Sequence, residues 1–231
     1  MKTAGKVAQI PYTLTRRRSN KNIVLRVNDL GQVEVSAPFL VPKATIEEFI
    51  LANEEKLLVR IAARKELHHS YSDGDRFLYE GRYVELRVAH GSRYNIVEED
   101  GILRATTIEE DCPPPLVEAL VRWLYKKRTR ERVKAMLPDW AMKLGVATPP
   151  FSVRDSKKRW ASCSSTGRLN FSLRCQALSD EQLSYLVLHE LAHLIHFDHS
   201  PDFHALLKEH MSRYKSVQRS LYAVQEESQL L

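Results

Sequence analysis

The segment from Leu183 to Ile195 is apolar on nearly every side, yet it contains His189-Glu190-Leu191-Ala192-His193, and few folds accommodate both properties. A helix that is apolar all round is buried in a core. Burying a carboxyl group and two imidazoles there is costly unless something pairs with them, and a metal ion is the usual partner. Residues four apart share one helical face, about 6 Å apart along the axis, so His189 and His193 can address one ion with Glu190 beside them. The H-E-x-x-H pattern reads as a zinc site in which the histidines are ligands and the glutamate is the base that deprotonates a metal-activated water. The helix has a marked start. Ser179 followed by Gln182 forms a capping-box pattern, with Asp180 and Glu181 in the first turn. The chain is therefore expected to fold around a core helix that carries a metal-dependent hydrolytic site.

Catalytic zinc takes a third protein ligand and keeps a position open. His196 is close in sequence, but positions seven apart on a straight helix are separated by about 10.5 Å along the axis, too far to share one ion. His199 fits better. Ser200-Pro201-Asp202 reads as a new helix start, which puts His199 in a tight link where the chain folds back. His204, one turn into that second helix, is a weaker candidate, and Glu209 would require a longer link between the helices.

These residues sit within a wider pattern. Lys158-Arg159-Trp160-Ala161-Ser162-Cys163, Gly167-Arg168-Leu169-Asn170, Leu188 to Leu194 and His199-Ser200-Pro201-Asp202-Phe203 resemble the YgjP-like metallopeptidase family, related to the SprT-like and Wss1-like zinc proteases. Ala161 stands where that family commonly has glycine. The resemblance implies a zincin-type site with one zinc ion on His189, His193 and His199 and with Glu190 as base. The spacing of the three histidines also equals that of the metzincins, but His196 stands where those proteins have glycine, which argues against a metzincin turn.

The remaining readings bound the setting. At 231 residues the chain can build a sizeable core without disulfides. Cys112, Cys163 and Cys175 are odd in number, lack C-x-x-C spacing and read as reduced thiols of a cytoplasmic protein. No apolar run approaches the ~20 residues of a membrane span, and the first residues lack the apolar core of a secretory signal, so no membrane partner is expected.

Along the chain, strands come first. Asn22 to Val27 and Gln32 to Ala37 flank Asn28-Asp29-Leu30-Gly31 as a hairpin, and a helix is expected over Lys43 to Leu67 after Pro42. A second strand group, Arg76–Tyr79, Arg82–Val88, Tyr94–Val97 and Ile102–Ala105, turns at Glu80-Gly81 and Asp100-Gly101. No internal repeat is visible. Cys112-Pro113-Pro114-Pro115 gives the expected domain boundary: a β-rich N-terminal domain over 1–112 and a zincin-like catalytic domain over 113–231, an α+β fold overall. In the second domain a long helix over Leu116 to Leu144, with a break at Pro138, precedes strands at Phe151–Arg154 and Arg168–Arg174.

The expected function is zinc-dependent peptide-bond hydrolysis, with Glu190 moving the proton from water to the leaving amine. Arg159, Asn170 and Tyr185 are the candidates for substrate or oxyanion contacts. The net charge of +6 and basic blocks such as Arg16-Arg17-Arg18 leave two other readings open. One is a hydrolase of phosphoanhydrides such as nucleotides, which uses the same site with a phosphate pocket around Lys157 and Arg159. The other is a nucleic-acid-associated protein with a SprT-like protease site.

Overall fold

A computed structural model of the chain describes residues 2–28, 30–66 and 69–228, and the chain divides into two compact units at residues 68 and 69. The fold is mixed α+β, with strands leading and helices following. No described helix is long and apolar enough to cross a membrane.

In the first unit, β1 (Lys2–Val7), β2 (Ile10–Arg17), β3 (Val24–Val27) and β4 (Val33–Pro38) form a sheet of order β1-β2-β4-β3. Strict alternation buries Ile10, Tyr12 and Leu14 on β2 and Val33, Val35 and Ala37 on β4, because successive side chains leave a strand on opposite faces. These residues pack on Ile46, Ile50 and Leu57 of α1 (Lys43–Leu51) and α2 (Glu54–Glu66). The single helix expected over Lys43 to Leu67 is thus two helices. The break comes where Ala52 caps α1 and the Asn53 side-chain Nδ2 donates back to the Phe49 carbonyl at 2.8 Å. The expected hairpin pairs antiparallel, Val27 opposite Val33. Asp29 in its turn and Leu67 at the end of the expected helix lie outside the described residues.

In the second unit, β5 (Arg76–Tyr79), β6 (Arg82–His90), β7 (Asn95–Glu99) and β8 (Ile102–Thr107) take the order β5-β6-β8-β7. Glu80-Gly81 and Asp100-Gly101 make the expected turns, all four residues having positive φ, as the tight turns that match strand twist require. This sheet repeats the topology of the first: two antiparallel outer pairs joined by a parallel central pair, β2 with β4 and β6 with β8. In both units a helix follows after a proline N-cap, Pro42 or Pro113. The chain therefore contains a structural repeat that its sequence does not display.

The boundary expected at residues 112 and 113 falls inside the second unit. The proline run opens α3 (Pro114–Lys143), whose Val117, Val121, Leu124 and Tyr125 share a core with Phe77, Tyr79, Leu86 and Leu103 of the sheet. Separating them would expose that core. Pro138 does not break α3, which runs on so that Val133, Leu137 and Ala141 join a second core around the later elements. There β9 (Phe151–Arg154), β10 (Ala161–Cys163) and β11 (Leu169–Ser172) form a sheet of order β10-β11-β9. The strand expected to reach Arg174 stops at Ser172, whose hydroxyl caps a 3₁₀ turn over Leu173–Ala177. Then come α4 (Asp180–Ala192), α5 (Pro201–His210) and α6 (Tyr214–Ser228).

Candidate metal centre

Helix α4 begins as expected. The Ser179 hydroxyl accepts from the Gln182 N–H at 3.3 Å, and the Gln182 side chain accepts from the Ser179 N–H at 3.0 Å. Leu183, Val187, Leu188 and Leu191 are fully buried, so the helix runs through the core, and its last turn brings His189 and Glu190 to a cleft. His193 is the C-cap. The chain reverses through the next residues, and Ser200 caps α5 with Pro201 in its first turn, which holds His199 at the reversal.

The ligand-capable nitrogens of His189, His193 and His199 lie within 4.8 Å of one another. His189 Nε2 and His199 Nε2 are 3.4 Å apart. Two nitrogens bound at about 2.05 Å to a tetrahedral ion would be separated by about 3.3 Å, so the spacing of this pair fits a zinc-sized ion. His193 Nδ1 is 3.3 Å from the His196 carbonyl, and a proton donated there leaves Nε2 as the lone-pair donor. The Tyr185 hydroxyl lies 3.4 Å from His189 Nδ1. Burial, then the neighbouring His193, His199 and His204, push His189 down to about 3, which keeps it the neutral imidazole that a metal requires. His196 thus contributes a carbonyl, and its ring is outside the cluster. His204 packs on Tyr214, with Nδ1 3.3 Å from that hydroxyl, and Glu209 is exposed near the end of α5.

Glu190 is only 5 % exposed. Its carboxyl group accepts the backbone N–H of Cys163 on β10, while Oε2 has no hydrogen-bond partner among the described residues. Burial pushes Glu190 up to about 7 against the Cys163 N–H and the Arg159 charge, which both lower it. A buried carboxyl oxygen left unpaired beside three clustered imidazoles is the donor set that a divalent cation and its water would complete, so these residues fit a catalytic metal.

The cleft of about 240 Å³ is lined by Arg159, Trp160 and Ala161 on one side, by Tyr185, Leu186, His189 and Glu190 of α4, and by Gln218, Leu221, Tyr222 and Gln225 of α6. Two of the three expected contact residues, Arg159 and Tyr185, therefore join the site. Asn170 does not line the cleft: it sits on β11 between Ser162 and Ser152, and its Oδ1 accepts from the Ser152 hydroxyl at 2.7 Å. Ala161 is an ordinary strand residue paired with Phe171, so alanine fits where glycine is common. Two contributions went unforeseen. Phe203 is fully buried, with ring centroids 5.1, 4.8 and 4.9 Å from His189, His193 and His199. The wall from α6 was signalled only by Tyr214, Val217, Leu221 and Val224 at helical spacing.

The family model described as the YgjP-like metallopeptidase domain matches residues 21–223, a span that takes in every residue of the cluster and most of the cleft. No curated protein is matched at a level that carries an inference.

Proposed function

The chain belongs to the YgjP-like metallopeptidase domain family, and from that premise we propose that it is a zinc-dependent peptidase of zincin type, with one zinc ion held by His189, His193 and His199 and with Glu190 as general base. The observation that carries this reading is the meeting of three ring nitrogens within 4.8 Å beside a buried carboxyl oxygen that has no partner of its own. Zinc on such a set supplies Lewis-acid chemistry: it makes water nucleophilic near neutral pH and polarises the scissile carbonyl.

The protein's own groups do the rest. Glu190 takes the proton of the attacking water on its unpaired oxygen and delivers it to the departing amine nitrogen, while the Cys163 N–H holds the other side of the carboxyl group in place. The His196 carbonyl orients His193, and Phe203 packs against all three imidazoles from the core side. Arg159 and Tyr185 are the cleft donors available to a developing oxyanion. A phosphoanhydride such as a nucleotide would use the same metal chemistry, but of the Lys157–Arg159 cluster only Arg159 lines the cleft, so a peptide or protein substrate is preferred. The three free thiols suit a cytoplasmic, reducing setting.

The test is Glu190→Gln, with zinc content and turnover measured side by side on a peptide mixture and on nucleotides. Retained zinc with peptide cleavage reduced roughly 10²–10⁴-fold is expected. Full activity in the variant would remove Glu190 as base, and metal-dependent pyrophosphate release without peptide cleavage would replace the substrate class.

A further inference from the structure

The two sheets of identical topology expose different chemistry on the faces turned away from their helices. On that face of the second unit Arg87 is held by Asp73 at 3.0 Å and by Glu85 at 2.7 Å, and Arg76 lies over the Tyr83 ring. In the first unit the strand register sets Lys2, Thr15, Ser36 and Val24 in one row and Ala4, Thr13, Glu34 and Arg26 in the next. Lys6 and Arg17 extend the same face, because they continue the alternation of Lys2 and Thr15. Among the described residues, Lys2, Lys6, Arg17 and Arg26 form no ion pair, and Glu34 is the only carboxylate in the rows they frame. The face is concave, enclosing about 240 Å³ lined by Lys2, Arg17 and Arg26 around the hydroxyls of Thr13, Thr15 and Ser36. Other basic residues that the sequence brings to notice serve structure instead. Arg16 donates to the Phe39 and Val41 carbonyls, Arg132 to the Leu178 carbonyl and Asp180, and buried Arg174 to the Ser156 carbonyl.

We propose that the outward face of the β1–β4 sheet binds the phosphate backbone of duplex nucleic acid without regard to sequence. Cations interleaved with hydroxyl and amide donors are the groups that contact phosphate oxygens. A concave surface suits a convex backbone, whereas a flat anionic membrane would call for projecting apolar groups. No aromatic side chain stands in these rows to stack on unpaired bases, which favours a duplex over a single strand. The inference does not depend on the metal site.

The test measures binding of the full chain to labelled duplex DNA and duplex RNA of about 20 base pairs, beginning near 50 mM salt and raising it. Both duplexes are expected to bind, with affinity falling as salt rises. The triple variant Lys2→Ala/Arg17→Ala/Arg26→Ala should weaken binding at least tenfold and lower the slope of log affinity against log salt by about 3. Arg87→Ala, whose charge is already paired on the second sheet, should change nothing, and Glu34→Gln should tighten binding, a gain that misfolding cannot imitate. No duplex binding at low salt, an unchanged triple variant, tighter binding to single strands, or binding only to vesicles of anionic lipid would each overturn the proposal. Retention of one duplex type alone would restrict it to DNA or to RNA.

Discussion

His199 Nε2 lies 3.4 Å from His189 Nε2, although the two residues are ten positions apart and a helix end and a reversal intervene. That closeness makes the exposed His199 a member of the histidine cluster. It also makes metal occupancy a matter of fold geometry, because the Ser200 cap and Pro201 fix where the reversal ends.

Purified protein should therefore hold about one zinc ion, and His199→Ala should lose most of it without unfolding. Zinc at about a hundred times its dissociation constant should stabilise the wild type by about 2.7 kcal/mol, seen as a rise in melting temperature, and should leave the variant unmoved. An equal zinc response in both proteins would exclude His199 as a ligand.

Phe203 touches all three imidazoles from one buried position, so it orients the set as a whole. Phe203→Ala should cost about 3–5 kcal/mol of stability through the cavity it leaves. Phe203→Leu keeps most of the volume and should fold, with zinc affinity lowered about tenfold or more because the ring contacts are gone. Unchanged zinc affinity in the leucine variant would reduce Phe203 to core filling.

The parts of the site that could be read from sequence are those written locally. Ser179 with Gln182 and Ser200 with Pro201 fix two helix starts through contacts a few residues long, and those starts aim His189, His193 and His199. What was not legible depends on contacts between distant residues. The central β2–β4 and β6–β8 pairs are parallel, and no turn signal announces a pairing that skips a strand. The proline run at 113–115 looks like a linker until Val117 and Tyr125 are seen to share a core with Phe77 and Tyr79. Asn170 looked available because it alternates with the buried Leu169 and Phe171, but β10 and β9 flank it and Ser152 occupies its side chain. Tyr222 and Gln225 reach the cleft only because α6 packs back along α4.

Cys163 donates a hydrogen bond to Glu190 through its backbone N–H, not through its thiol. Burial, then the Glu190 charge, push the thiol up, and its Sγ faces the Ser164 carbonyl at 3.5 Å. Cys163→Ala keeps the N–H that Glu190 accepts, so turnover should stay within about threefold of wild type, whereas losing a proton-transfer group costs roughly 10²–10⁴-fold. A hundredfold loss with zinc still bound would show that the thiol itself takes part.

The tyrosines of the second unit set its alkaline limit. Tyr125 is fully buried, donates to the Leu78 carbonyl at 2.8 Å and is raised well above the ordinary phenol value by burial. Burial, then the Glu118 charge, push Tyr71 up to about 12. The folded chain therefore keeps these protons where the unfolded chain has released them. The stability they contribute is complete below about pH 10 and is lost as pH rises above it, by up to about 1.4 kcal/mol per pH unit for each group. Urea unfolding should give a stability that begins to fall near pH 9, where burial holds the Cys163 and Cys175 protons that the unfolded chain releases, and that declines more steeply above about pH 10 as the tyrosines add to it. Tyr125→Phe leaves the Leu78 carbonyl without that donor, which costs about 1 kcal/mol at neutral pH. It also removes one of the retained protons, so the alkaline decline should be shallower than in wild type. Parallel declines in the two proteins would mean that Tyr125 titrates alike in the folded and unfolded chain, so that its burial does not hold the proton.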